Sequence, residues 1–205
     1  MIYDVSMAIT PTMTVYKDKR EKKPTFHALA THEVNGAQDT VITMSMHTGT
    51  HMDYPWHMIP DGATSDKATM DEALLGRVKV FDCSDVDRVD AQAVARCDIQ
   101  KGDFVFFKTR NSFTEAFDFA FVDVEKSGAE ALRDLGVRGV GLDALGIERD
   151  QAGHPTHKTL LSQGIIIIEG LRLKDVPEGV YELLALPLKI ENMEALPLRV
   201  LLRTL

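Results

Sequence analysis

The sequence predicts an α/β fold with a large share of sheet and few helices. A buried strand over Asp103–Lys108 is followed by apolar residues at helical spacing between 124 and 135, and then by an apolar strand at Val137–Leu142. Strand, helix and strand in that order are typical of a parallel βαβ unit. The four isoleucines of Ile165–Ile168 add a strand buried on both faces, because all four are β-branched and apolar.

The first half of the chain is predicted to be mostly strand and loop. Met1–Ile9 is predicted to form a short strand, and Pro11 provides a break after it. The charged run from 17 to 24 mixes both signs, which indicates a solvated loop and not a binding patch. Residues 26–46 alternate loosely, as in an edge strand or hairpin, and Arg77–Asp82 is a short apolar strand.

The second half contains residues that mark the end of a helix and the ends of further strands. Gly136 stands where the C-terminal cap of the predicted helix belongs. The strand after it ends at Asp143. Residues 181–205 are predicted to form strands, which we expect to be interrupted at Pro187 and Pro197.

Size, charge and cysteine content exclude several classes of protein. The 205 residues (22.8 kDa) fit one domain, 1–205, and the net charge of −8 argues against binding to nucleic acid. No apolar run is long enough for a membrane span and no signal peptide is visible, so we expect a cytoplasmic protein. Cys83 and Cys97 cannot form a disulfide scaffold and lack the spacing of a zinc finger.

Histidines are concentrated in two short segments. Five of the seven lie either between His47 and His57 or at His154 and His157. Imidazole and carboxylate groups together are the ligands that bind zinc, manganese or iron without thiolates. The first segment also contains Asp53, so it holds four metal-binding side chains within eleven residues. This density predicts a metal site.

The spacing in the first segment requires a bend. In an extended chain the Cα atoms of His47 and His51 would be about 13 Å apart, too far to share an ion. Gly49 lies between them and can make the bend, because it has no Cβ. His51 and Asp53 point to the same side at about 6.6 Å. We expect His57 to follow on a loop that faces the same site.

Glu169 extends the predicted site to a second part of the chain. It follows the isoleucine strand, where a carboxylate is costly unless it is paired or bound to a metal. Either it forms a salt bridge to Arg172 or it is a metal ligand at the mouth of the sheet. Of the second histidine pair, His157 is the better candidate, since His154 precedes a proline and fits a turn.

The first histidine segment resembles the signature of a known family. His47-Thr48-Gly49-Thr50-His51-Met52-Asp53-Tyr54-Pro55-Trp56-His57 is similar to the H-x-G-T-H-x-D-x-P-x-H motif of the cyclase family, whose best-known members are bacterial kynurenine formamidases. Other landmarks extend the resemblance over essentially the whole chain: Tyr3–Ser6, Gly102–Asp103, Gly141–Asp143, His157–Leu171, Leu186–Leu188 and Pro197–Arg199. The resemblance implies a swivelling β/β/α domain, with a mixed sheet and few helices, in an oligomeric metal-dependent hydrolase.

The resemblance also implies roles for the site residues. His47, His51 and Asp53 match ligands of a first divalent metal. Asp53 and Glu169 would bridge to a second metal where one is present, with His157 as its histidine ligand. The expected cofactor is zinc or manganese, as one or two ions per subunit. His57 matches the general acid/base of the family.

One stretch departs from the formamidases. Their N-terminal Trp-Pro-Gly-Asp-like segment contacts the substrate through its aromatic ring, whereas Val15-Tyr16-Lys17-Asp18 stands at the matching place here. Tyr16 retains a ring that can stack on an aromatic substrate, so we predict that it binds substrate. The proline and glycine are absent and a charged run follows.

The resemblance implies hydrolysis of a small amide, such as an arylformamide of tryptophan catabolism, by a metal-bound hydroxide with His57 as acid/base, and the chemistry of these residues agrees with it. The alternatives within the family are a cyclic amide such as isatin, an imide or a lactone. A more distant alternative is a non-haem iron oxygenase that uses His51, Asp53 and His157. A metal-stabilised binding protein is the non-enzymatic alternative. The expected partners are a small-molecule substrate and further copies of the chain, in a dimer or tetramer.

Overall fold

The described part of the chain contains ten strands and four α-helices. The computed structural model describes residues 1–66 and 74–205. The strands are β1 (Ile2–Asp4), β2 (Thr25–Ala30), β3 (Asp39–Thr43), β4 (His51–Asp53), β5 (Leu75–Asp82), β6 (Phe104–Lys108), β7 (Gly139–Leu142), β8 (Ile166–Glu169), β9 (Gly179–Pro187) and β10 (Ala195–Thr204). The α-helices are α1 (His32–Asn35), α2 (Ala91–Ala95), α3 (Lys126–Leu135) and α4 (Pro155–Leu161).

Seven strands close into a barrel. Their order is β10-β4-β8-β7-β6-β5-β9, and β9 pairs back onto β10. Closure is possible because β10 is long enough to have two partners: Ala195–Pro197 pair with β4, and Leu198–Thr204 pair with β9. β1 adds to β10 as an eighth strand. The barrel leaves few unpaired edges, which protects the chain from pairing with other molecules.

The barrel is mixed in strand direction. β5, β6, β7 and β8 are parallel, and the remaining pairings are antiparallel. α2, α3 and α4 follow β5, β6 and β7 in the chain, as crossovers between parallel strands require. The carboxyl ends of β7 and β8 therefore meet at one edge of the sheet, where Glu169 ends β8.

Alternation along β6 divides the apolar core into two layers. Phe104 and Phe106 pack with side chains inside the barrel, whereas Val105 and Phe107 pack with residues of the helices. Gly141, next to Phe106 in the register, leaves room for its ring: an added Cβ would be 2.4 Å from the ring carbon Cδ1.

The predicted βαβ unit is confirmed. α3 ends at Leu135, and Gly136 adopts the left-handed conformation (φ 73°) expected of a C-terminal cap. β6 and β7 then pair in parallel, and β8 extends the sheet to Glu169. The predicted hairpin within 26–46 is also present, as β2 and β3, although it forms a separate two-stranded sheet with exposed side chains.

Three features differ from the prediction. The first strand is shorter than Met1–Ile9, because only Ile2–Asp4 pair with β10. The break expected at Pro197 is wrong: this proline lies inside β10, and its carbonyl accepts a hydrogen bond from the Leu188 amide at 3.2 Å. The sequence pattern also missed α1, α2 and α4, which are four, five and seven residues long. In the part of the chain that the structure describes, no helix is long and apolar enough to cross a membrane.

Candidate metal centre and active-site pocket

A tight bend before β4 brings His47 back towards His51. Gly49 has φ 67°, a left-handed conformation, and an added Cβ would be only 2.9 Å from Cδ1 of Ile9. The bend reduces the separation of the His47 and His51 ring centroids to 4.9 Å. In β4 the side chains of His51 and Asp53 share one face, since they are two residues apart.

Glu169, the last residue of β8, lies directly opposite His51. The antiparallel register pairs His51 with Glu169 across β4 and β8. The hydroxyl of Thr50 donates a hydrogen bond to the carbonyl of Gly170 at 2.7 Å, which ties the start of one strand to the end of the other. This pairing joins the two parts of the site predicted from the sequence.

α4 supplies the remaining histidine. The helix starts with Pro155 at its first position, where a missing amide hydrogen costs nothing. The ring nitrogen Nδ1 of His157 lies 2.9 Å from Oε1 of Glu148, and the other Glu148 oxygen accepts the Thr156 amide at 2.8 Å. Glu148 thus turns Nε2 of His157 towards β4 and β8. His154 lies at the rim and also contacts Glu148, at 2.8 Å.

Two carboxylates lie between two imidazoles at the centre of the site. Nε2 of His51 is 3.5 Å from Oδ1 of Asp53 and 3.3 Å from Oε2 of Glu169. Nε2 of His157 is 3.6 Å from Oδ2 of Asp53 and 3.4 Å from Oε1 of Glu169. Each carboxylate therefore presents one oxygen to each histidine, an arrangement that suits one ion or two bridged ions.

The donor set fits a divalent metal. His51 and Asp53 are 1% and 3% exposed, yet Nε2 of His51 and both carboxylate oxygens of Asp53 have no hydrogen-bond partner. Such orphaned buried atoms cost free energy unless something else satisfies them. The outer nitrogen of His51 contacts the carbonyl of Gly49 at 2.9 Å, as is usual for metal-binding histidines. The inner atoms are left facing the place where an ion would bind.

Without a metal, the imidazoles and carboxylates of the cluster stabilise each other's charged forms. Burial opposes protonation of His51, but the Glu169 carboxylate, 3.3 Å from Nε2, and the charge of Asp53 raise the pKa of its imidazole to about 9. Burial likewise opposes ionisation of Glu169, and the Asp53 charge adds to this, yet His157 and His51 lower the pKa of Glu169 to about 2. The imidazole protons of the metal-free protein supply the positive charge that a metal would replace.

His47 and His57 add two further imidazoles to the cluster. Nδ1 of His47 is 3.1 Å from Oδ1 of Asp53, and the ring of His57 lies 4.2 Å from that of His47 by centroid. His57 belongs to a 3-10 turn at Pro55–His57. Burial, the largest effect, lowers the pKa of its imidazole. The lowered pKa favours the neutral imidazole, which is the form that can accept a proton.

A cavity of about 220 Å³ opens onto the cluster. His47, His57, His157 and Glu169 line its polar part. The ring of Tyr16 lines it as well, and that ring packs edge-on against Phe117 and Phe121 at 5.5 and 6.5 Å. The cavity is large enough for a small aromatic molecule.

The structure brings all the predicted site residues together. The cluster and cavity contain His47, His51, Asp53, His57, His157, Glu169 and Tyr16. The alternative pairing of Glu169 with Arg172 is absent among the described residues: the Arg172 guanidinium contacts the Leu171 carbonyl at 3.5 Å. Sequence reasoning missed Glu148, which orients His157, and Lys22, which also lines the cavity. Neither lies in the histidine-rich segments, and only the tertiary fold reveals their neighbours.

Comparison with known proteins identifies the family. Residues 3–149 match the family model named Cyclase, whose description reads "Putative cyclase". The chain belongs to the cyclase family. It is 32% identical to a kynurenine formamidase of Salinibacter ruber, over 98% of this chain and 97% of the relative.

Solved structures of cyclase-family relatives share the fold. One, described as a potential metal-dependent hydrolase with cyclase activity, is 51% identical, with a TM-score of 0.91 over 98% of this chain and 96% of its own. Isatin hydrolase A of Labrenzia aggregata is 25% identical, with a TM-score of 0.84 over 100% and 93% of the two chains. The predicted α/β cyclase fold is confirmed, and the chain is a metal-dependent hydrolase of this family. The oxygenase alternative, which leaves His47 and Glu169 without a role, loses its support.

Proposed function

We propose that this cyclase-family hydrolase cleaves small aromatic amides, with arylformamides as the preferred class. The observation that carries the proposal is the group of orphaned buried atoms on His51 and Asp53 at the base of a cavity lined by His57 and Tyr16. Similarity to a kynurenine formamidase over nearly the full length of both chains supports the bond type.

His51 and Asp53 would hold the first ion, together with His47. Glu169 and His157 would complete a second position, with zinc or manganese as the expected metal. When bound, a divalent metal lowers the pKa of a coordinated water and polarises the substrate carbonyl. The chain's own contribution is to fix the ligand atoms: Glu148 and the Gly49 carbonyl hold the outer nitrogens of the two buried histidines.

His57 is placed to move the proton during hydrolysis. Its ring lines the cavity and has no hydrogen-bond or ion-pair partner within residues 1–66 and 74–205, unlike those of His51 and His157. A neutral imidazole takes a proton from the attacking water and then protonates the leaving nitrogen, which makes departure of an amine possible. Tyr16 would hold the aromatic part of the substrate by stacking.

Hydrolysis of N-formylkynurenine by protein loaded in turn with zinc and with manganese tests the proposal. We expect turnover that disappears in Asp53→Ala, while circular dichroism shows that the variant stays folded. Isatin serves as the second substrate, because the similarity to isatin hydrolase A favours a cyclic amide as the runner-up. Turnover of isatin alone would assign the runner-up activity, and no turnover of either by folded, metal-loaded protein would contradict amide hydrolysis.

A further inference from the structure

Lys22 is more buried than the charged residues from 17 to 21. The run from 17 to 24, predicted to be a solvated loop, folds as two short 3-10 turns beside Tyr16. Lys17, Lys19 and Arg20 are exposed, whereas Lys22 is half-buried. Its ammonium lies 5.2 Å from the centroid of the Tyr16 ring. The run therefore supplies a cation to the aromatic wall of the active-site cavity.

This cation faces the cavity without a counter-ion. Lys22 lines the same 220 Å³ cavity as His57, His157 and Tyr16. Within the described ranges, 1–66 and 74–205, no carboxylate lies within ion-pair distance of Lys22, whereas the next residue, Lys23, pairs with Asp18 at 2.9 Å. A half-buried ammonium without an anion favours an anionic ligand, because charge-assisted hydrogen bonds are stronger than neutral ones.

The carboxylates of the cavity are already engaged by other groups. Glu148 contacts His157 and His154 and accepts the Thr156 amide. Glu169 contacts His51 and His157 and accepts the Ile147 amide at 2.6 Å. Lys22 is thus the cavity-lining cation that remains available to a bound molecule, on the part of the wall where an aromatic ring would stack.

We propose that Lys22 binds a carboxylate of the substrate, so that the preferred substrates are aromatic amides that carry an anionic group near the ring. This specificity rests on the proposed amide hydrolysis. Tyr16 holds the ring and Lys22 holds the charge, while the amide carbonyl extends towards the histidines. An uncharged aryl amide fits the same cavity but lacks the contact to Lys22.

Two substrates that differ only in the carboxylate test this proposal. Formanilide and N-formylanthranilate share the ring and the formamide. In Lys22→Met, we expect KM for N-formylanthranilate to rise about tenfold, the size of one charge-assisted hydrogen bond, with kcat changed less than about twofold. Values for formanilide should stay within about twofold, and Lys22→Arg should retain most of the affinity for N-formylanthranilate.

Lys17→Met is the matched control. Lys17 lies 5.4 Å from the same ring centroid but is exposed and does not line the cavity. We expect it to leave both substrates unchanged. The proposal is overturned if Lys22→Met affects the two substrates equally, which would make Lys22 a support for Tyr16, or if it affects neither. It is also overturned if Lys17→Met reproduces the effect on N-formylanthranilate.

A binding measurement separates this proposal from the proposed function. If neither amide is hydrolysed, the preference for arylformamides fails, and calorimetric titration with anthranilate still tests Lys22. We expect anthranilate to bind about tenfold more weakly to Lys22→Met than to the wild type. Equal affinities would show that the carboxylate is held elsewhere and would overturn the role of Lys22 whatever the reaction is.

Discussion

At the scale of single residues, the structure separates His57 from the buried histidines. His51 and His157 each have one ring nitrogen held by a protein oxygen and the other directed into the cluster. His57 lacks such a contact in the described part of the chain and lines the cavity. The difference predicts separate roles: the buried pair holds the ion, and His57 transfers a proton.

His57→Ala should therefore keep the metal and lose most turnover. We expect kcat to fall by a factor of about 10²–10⁴, the usual contribution of a general acid/base. Metal content measured by mass spectrometry should match that of the wild type. Loss of bound metal from the variant would make His57 a ligand instead and would contradict the proton-transfer role.

Glu148→Gln should weaken metal binding although Glu148 does not face the ion. The carboxylate contacts Nδ1 of His157 and so stabilises the ring orientation in which Nε2 points towards Asp53 and Glu169. Outer contacts of this kind are worth about 10–100-fold in metal affinity. His154→Ala is the control, since it removes a solvent-exposed contact of Glu148 and should change affinity little. Wild-type affinity in Glu148→Gln would refute the orienting role.

At the scale of elements, the site depends on the close approach of β4 to the end of β8. Gly170 has φ 71°, and an added Cβ would be 2.5 Å from the carbonyl oxygen of Gly49. We expect Gly170→Ala to destabilise the protein by about 3 kcal/mol, through backbone strain and displacement of the strand, and to reduce metal affinity. Thermal or denaturant unfolding and metal titration measure both effects.

Gly164→Ala is the control for that variant. Gly164 has nearly the same φ, 70°, but nothing lies within 4 Å of an added Cβ. Gly164→Ala should lower the free energy of unfolding by only about 1 kcal/mol, because alanine disfavours the left-handed conformation. It should leave metal affinity unchanged. Equal losses of stability in the two variants would show that the approach of the two strands does not matter.

Local signals explain which elements the sequence could predict. The bend at Gly49 followed from the distance two histidines must cover, and Gly136 marked the end of α3. α4 was missed because its seven residues begin after His154, which provides no side-chain cap, so that Pro155 was the only start signal. The roles of Glu148 and Lys22 could not be inferred, because their partners are distant in sequence and meet only in the closed barrel.

At the scale of the whole molecule, barrel closure assembles the cluster from distant segments. Closure depends on β10 pairing with both β4 and β9, contacts between residues far apart in the chain. Sequence periodicity predicts that such strands exist but not which strands pair. The family resemblance, not periodicity, was therefore the source of the swivelling-domain prediction.

Without metal, stability should depend on pH through the buried histidines. The pKa of His51 is raised to about 9 from an unfolded value of about 6.5. Protonation of His51 therefore stabilises the fold fully below about pH 6.5, and this contribution, up to about 3 kcal/mol, is lost as the pH rises through 9. We expect the Tm of chelator-treated protein to fall over this range.

Metal-loaded protein is the control for that pH dependence. Ligand imidazoles have already lost their protons, so its Tm should change less between pH 6.5 and 9. Parallel decreases in the two forms would show that the cluster is not the origin of the effect.

The most direct test of the account is a crystal structure of metal-loaded protein with anomalous diffraction data at the metal edge. The account predicts an anomalous peak between His51 and Asp53, about 2.0–2.2 Å from Nε2 and from a carboxylate oxygen, with Glu169 and His157 in reach of the same or a neighbouring ion. A catalytically active crystal with no peak in this cluster, or with its metal bound elsewhere, would contradict it.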